Sequence, residues 1–158
     1  MPQVDEPPIT IRLARPADTA ALARLRHGWS EENAGAPIED TSFNEEFAQW
    51  FADEADRRAT YLAESAGLAI GMMNVVVFQR MPRPAQPSTC WCYLGNAFVL
   101  PDYRNRGTGR QLLEAVLGHA QAINAVRIVL APSERSVPFY ERAGFGAASM
   151  LMAMTLAE

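Results

Sequence analysis

The sequence predicts a mixed α/β domain, a central mixed sheet flanked by helices, on three observations. An apolar run, Ala97 to Leu100, stops at Pro101; a basic, glycine-containing turn follows, and then apolar residues at helical spacing: Leu112, Leu113, Val116, Leu117, Ala120 and Ile123. A second strand-like run, Arg127 to Ala131, leads into a helix-like block that closes at Gly144. Ahead of both, Thr60 to Glu64 and Leu68 to Phe78 flank a Ser65-Ala66-Gly67 turn. Helices alternating with strands in the second half require parallel neighbours and helices over the sheet.

Taken in order, Ile9 to Ala14 alternates apolar and polar residues and reads as a strand. Pro16 and Asp18 are helix-start chemistry, and Leu22, Leu25 and Trp29 give a first helix its apolar face. Gly28 to Pro37 reads as a turn-rich break. A second helix is expected over Ser42 to Asp56, with Phe43, Phe47, Trp50 and Phe51 on one face. That aromatic face reads first as core packing, and second as the wall of a pocket. Gly71 interrupts the second hairpin strand. Arg80 to Thr89 has three prolines and no periodicity, a loop long enough to cover a site. Trp91 to Leu100 is the next strand, with Gly95 marking a bulge or a splay. Ser133 or Ser136 caps the last helix, with Pro138 in its first turn. Ser149 to Leu156 reads as a final strand, so the order is β-α-α-β-β-β-α-β-α-β.

The 158 residues fit one domain spanning 1–158, with residues 1–8 as a flexible tail. A net charge of −4 argues against general nucleic-acid binding. All the basic residues are arginine, which excludes a phosphate-loop lysine and a Schiff-base lysine. Cys90 and Cys92 lack a second pair of ligands for a zinc site, and no other metal centre is expected. Two apart on a strand, they are read as reduced thiols in a cytoplasmic protein. The first eight residues are polar and proline-rich, so neither a signal peptide nor a membrane span is expected.

The basic turn carries the chemistry. Arg104, Arg106 and Arg110 crowd a helix start with no acid in its first turn, where cations are unfavourable. A bound polyanion resolves that conflict: free N–H groups, the helix dipole and bare glycine backbone suit phosphate. The pattern Arg104-x-x-Gly107-x-Gly109 resembles the acetyl-CoA pyrophosphate loop of the GNAT superfamily of N-acetyltransferases. Ser133 to Phe145, containing Pro-Phe-Tyr-Glu-Arg-Ala-Gly-Phe, resembles that superfamily's tyrosine-bearing helix and Gly-Phe turn. The detailed likeness runs over about Tyr93 to Phe145, and the likeness in element order over nearly the whole chain.

The resemblance implies fourth and fifth strands that splay to admit a pantetheine arm. It implies acetyl-CoA as cosubstrate, contacted by Phe98, Val99, Arg104, Asn105, Arg106, Gly107, Thr108, Gly109, Arg110 and Ser136. Backbone N–H groups of Phe98 and Val99 would polarise the thioester, and Tyr140 would be the general acid. The implied activity is acetyl transfer to a small-molecule or peptide amine by direct attack in a ternary complex, with no nucleic-acid or membrane partner. The sequence is compatible with a homodimer and fixes no oligomeric state. Many relatives use a fourth-strand glutamate as base; here that strand has no acid, and Asn96 cannot take its place. Glu31, Glu32 and Glu134 are the candidates outside the strand. His27 and His119 read as solvated or capping residues. A non-catalytic acyl-CoA sensor of the same fold is the alternative. A dinucleotide fold is disfavoured because Leu112 stands where its third glycine belongs.

Overall fold

The structure, a computed structural model, describes residues 5–157. Of the expected tail, residues 1–4 lie outside that range, and 5–8 are exposed and precede the first strand. Strands β1 (Ile9–Leu13), β2 (Arg58–Ser65), β3 (Leu68–Gln79) and β4 (Cys90–Val99) pair antiparallel in that order. Strand β5 (Ala125–Leu130) closes the sheet parallel to β4. Helices α1 (Thr19–Ala34) and α2 (Phe43–Glu54) cover one face; α3 (Thr108–Ala122) and α4 (Val137–Arg142) cover the other.

The two faces follow from strand alternation. Leu62, Met72 and Phe98 are mutual partners across β2, β3 and β4 and pack on Leu22 and Leu25 of α1. Residues of opposite phase, among them Ala63, Met73, Val75 and Leu94, pack on Leu112, Leu113 and Val116 of α3. Each large apolar side chain so buried contributes roughly 1.5–3 kcal/mol. β3 is covered on both faces, which explains its nearly unbroken apolar run from Ala69 to Val76.

Two expectations are corrected. Helix α1 does not break at Gly28; it continues to Ala34 and ends at Gly35, whose φ is 67°. A Cβ on Gly28 would lie 3.7 Å from the Phe98 ring, an ordinary contact, so the helix runs through the glycine against the sheet without strain. The expected last strand over Ser149–Leu156 does not form. Residues 149–157 hold no ladder, and Met150, Met152, Met154 and Leu156 are all exposed. Alternation marks a face to be buried but supplies no partner strand, and here none pairs with it.

Gly95 is a bulge. Val75 pairs with Leu94 and Asn74 with Asn96, so Gly95 is the extra residue on β4. Pairing between β4 and β5 also stops there: Leu94↔Leu130 is its last pair. The remainder of β4 therefore has no partner on the β5 side, which is the splay anticipated from the sequence.

Candidate active site

The chain leaves β4 through the turn Pro101–Tyr103 and enters α3 by two left-handed residues, Asn105 (φ 61°) and Gly107 (φ 83°). Asparagine and glycine tolerate that conformation best. Gln111 N–H is the first in the helix to meet a backbone acceptor, Gly107 O at 3.0 Å. The N–H groups of Thr108, Gly109 and Arg110 precede it and have no intrahelical partner. They open on a cleft of about 770 Å³ whose far wall is apolar: Val99, Leu113, Leu117 and Phe139. Free donors at one end and an apolar channel at the other suit a phosphate-headed ligand with a long thin arm.

The arginines do not stand as the sequence suggested. Each has a carboxylate: Arg104 with Glu32, Arg106 with Glu6 at 3.1 Å, and Arg110 with Glu114 at 3.0 Å. The Arg110 and Arg106 pairs are exposed and can yield to an incoming anion, because such pairs are worth little. Arg104 is different. Its Nη1 and Nη2 hold Glu32 at 2.8 and 2.6 Å, and its Nε donates to Val99 O at 2.9 Å. That side chain is held by all three nitrogens, and the same pair holds the Glu32 carboxyl below the usual range and occupies it. Thr108 is buried and its hydroxyl donates to Tyr103 O at 3.4 Å, so only its N–H is left without an intramolecular partner.

The two strand donors part company. Leu100 N–H donates to Ile70 O at 2.8 Å. Successive residues of a strand turn their N–H groups to opposite sides, so Phe98 N–H is directed at β3 and Val99 N–H at the gap. The Phe98 ring packs on the α1 face. Ser136 is absorbed in a cap: its N–H donates to Ser133 Oγ at 3.3 Å and its hydroxyl to Ser133 O at 3.0 Å.

Tyr140 is buried in edge-to-face contact with Phe139 and Phe145. Burial raises its pKa, and no hydrogen bond to a described residue opposes that shift. The phenol therefore keeps its proton at neutral pH. Of the acids considered from sequence, Glu31 Oε1 accepts from Ile38 N at 3.0 Å and approaches His27 Nε2, while Glu134 sits exposed in the turn before α4. His119 is half-buried, and its Nδ1 meets the Tyr61 hydroxyl at 3.1 Å.

A second cavity, about 500 Å³, lies on the α1/α2 face of the bulge. Its floor is polar. Arg58 donates to Asn74 Oδ1 at 2.8 Å, and Asn74 donates to Thr60 Oγ1 at 2.5 Å. Phe43, Phe47 and Trp50 form its wall, so the aromatic face of α2 is partly pocket lining rather than core alone. Asn96 lies beside the bulge, and its Oδ1 is buried without a hydrogen-bond partner. Sequence reading missed Arg26, Arg58 and Asn74 at this cavity. The signal for Asn74 was available, since it is the one amide within the apolar run Ala69 to Phe78.

Among the described residues, no three His, Cys, Asp or Glu side chains gather as a metal site, and both cysteines are free and buried. No described helix is long and apolar enough to cross a membrane.

Known proteins share this fold. Residues 22–145 match the model of the acetyltransferase (GNAT) family. A glucosamine 6-phosphate N-acetyltransferase of Trypanosoma brucei brucei is 31% identical over 93 residues, 59% of this chain and 61% of that protein, so the match spans under two thirds of the relative. A protein of Clostridium acetobutylicum described as a predicted acetyltransferase, solved with acetyl-CoA, superposes with a TM-score of 0.75 at 18% identity, over 94% of this chain and 97% of that one. Glucosamine-6-phosphate N-acetyltransferase of Arabidopsis thaliana gives 0.70 at 18% identity, over 95% and 99%. The structural likenesses speak for the fold. The family match covers most of the chain, including the glycine loop, the splayed strand and the tyrosine helix, and the chain accordingly belongs to the acetyltransferase (GNAT) family.

Proposed function

We propose that the protein is an acetyl-CoA-dependent N-acetyltransferase that works on a primary amine, small-molecule or peptide, by direct attack in a ternary complex. One observation carries this reading. The unpaired end of β4 lies between the two cavities, with Val99 bordering the cleft below the glycine loop and Asn96 bordering the polar cavity. A cosubstrate and an acceptor entering from opposite faces would meet at that strand.

In this reading the N–H groups of residues 105–110 and the flanking arginines Arg106 and Arg110 hold the CoA phosphates. Val99 N–H polarises the thioester oxygen as charge develops on it. The amine nitrogen attacks the carbonyl carbon; the new C–N bond forms as the C–S bond breaks, the departing thiolate takes the Tyr140 proton, and the second proton that the nitrogen sheds as the amide forms restores the Tyr140 phenol. The amine must shed a proton first, because an alkylammonium has a pKa near about 10.4. Glu46, the one acid that lines the acceptor cavity, would receive that proton. Asn96 Oδ1 accepts the remaining N–H.

Calorimetric titration with acetyl-CoA, followed by thiol release across an amine panel, tests this. The expected results are micromolar binding and a Tyr140→Phe variant that still binds while turnover falls roughly 100-fold, the usual scale of a general acid. Failure of the wild type to bind acetyl-CoA overturns the reading. Unchanged turnover in Tyr140→Phe removes that residue's role. Binding with no turnover of any amine turns the assignment to an acyl-CoA sensor of the same fold.

A further inference from the structure

We propose that the acceptor carries an anionic group, a carboxylate or a phosphate, at the opposite end of an apolar body from its amine, and that Arg26 is the residue that selects for it. The inference rests on the acceptor cavity of the acetyltransferase reading and names the class of molecule that fills it.

The two arginines at the cavity differ. Arg58 is satisfied: it pairs with Glu54 Oε2 at 2.9 Å, donates to Asn74, and stacks on Trp50 at 4.8 Å. Arg26 stacks on Trp29 at 4.2 Å but pairs with no carboxylate or carbonyl among the described residues. It is half-buried, and burial alone lowers its pKa, with no opposing charge to restore it. A guanidinium offers five donors and no acceptor. Holding one away from bulk water without an anion is unfavourable, and its fork fits a carboxylate or phosphate in bidentate fashion. The cavity's one lining acid, Glu46, accepts instead from the Ser42 hydroxyl at 2.9 Å. With Arg58 already paired to Glu54, Arg26 is the lining cation left without an anion, and its guanidinium rather than the cavity's net charge is what draws one.

The other pole is Asn96. Its buried Oδ1 lacks a donor, and an amine N–H at the bulge supplies one. Phe43, Phe47 and Trp50 make the wall of the cavity, which suits a flat or apolar body linking the two ends. The site is therefore bipolar, with a donor-hungry carbonyl beside the reacting strand and an acceptor-hungry guanidinium on α1.

Three matched pairs test this, each with its anion across an aromatic ring from the amine: 4-(aminomethyl)benzoate against benzylamine, 4-(2-aminoethyl)benzoate against phenethylamine, and tyramine O-phosphate against tyramine. Each is titrated into cofactor-free protein by calorimetry and assayed for thiol release with acetyl-CoA. At least one anionic member is expected to exceed its neutral partner in affinity and kcat/KM by about 10- to 100-fold, the scale of a charged hydrogen bond. Which pair shows it separates carboxylate from phosphate. In Arg26→Gln, shown to be folded by circular dichroism, that ratio collapses toward one; Arg26→Lys restores part of it. Equal use of both members of every pair, or equal losses for both in Arg26→Gln, overturns the inference while leaving acetyl transfer standing. Anion-selective binding without any acetyl-CoA binding keeps the inference and overturns the acetyltransferase reading.

Discussion

Arg104 joins Glu32 through both terminal nitrogens of its guanidinium while its Nε donates to Val99 O. Three elements meet in that one side chain: the end of α1, the turn into α3 and the open end of β4. The contact turns a basic residue in the loop from a ligand group into a clamp. Both side chains are partly exposed, so the ion pair itself is worth about 1 kcal/mol or less. Its larger effect is on geometry. Glu32→Gln is expected to lower Tm slightly and to weaken acetyl-CoA binding several-fold, read by thermal melting beside calorimetry. Because Arg104 holds the Glu32 carboxyl below its ordinary pKa, the pair's contribution is present above the usual glutamate range and fades as pH falls below it.

Tyr140→Phe separates folding from chemistry. The hydroxyl has no described hydrogen-bond partner, and the ring provides the packing against Phe139 and Phe145. The variant should melt within about 0.5 kcal/mol of wild type, as substitutions that disturb no contact do. A raised phenol pKa also predicts that in wild type the alkaline fall in activity due to this group comes above about pH 10, where a free tyrosine titrates.

Two glycines in regular elements should respond in opposite directions to alanine. A Cβ on Gly71 would meet Phe98 O at 3.1 Å, Leu112 Cδ1 at 3.2 Å and Val99 Cγ2 at 3.2 Å. One neighbour is backbone and cannot swing away, so Gly71→Ala should cost about 1–3 kcal/mol. Gly118, inside α3, has nothing within 4 Å of its built Cβ. Gly118→Ala should stabilise by about 0.5–1 kcal/mol through helix propensity and a less free unfolded chain. Chemical denaturation of both variants measures the contrast.

Asp18 gives the fold an acid-sensitive joint. It accepts both Nη groups of Arg12 at 2.8 Å and Arg15 N–H at 2.7 Å. The hydrogen bond from Arg12 lowers its pKa from 3.8 to about 2. A lowered folded pKa means stability fully present above about pH 4 and lost as pH falls through 2. Asp18→Asn should cost about 1–2 kcal/mol at pH 7, discounted for the partial exposure of Arg12. The difference from wild type should shrink between pH 4 and pH 2 in urea titrations.

Local features were legible in the sequence. Asn105 and Gly107 announce a left-handed turn, apolar spacing announces α3, and Gly95 announces the bulge. What alternation or charge cannot show is which partner comes. Residues 149–157 alternate like a strand and find none, whereas Arg104 looks unpaired in the sequence and meets Glu32, 72 positions away. The acceptor cavity was obscured for the same reason. Arg26, Phe43, Asn74 and Asn96 come from four elements and converge only when α1 and α2 are laid across the sheet.

The Gly95 bulge has a consequence for chain length. Leu94 and Asn96 already oppose consecutive residues of β3, Val75 and Asn74. Removing Gly95 would therefore restore an unbroken ladder without moving any side chain to the other face. The core would keep its composition and contacts, while the kink that opens β4 from β5 would be lost. In this fold the open edge of β4 between the two cavities depends on counting rather than on side-chain identity. A single-codon deletion would leave a well-folded protein with that edge closed, a change that no substitution scan would sample.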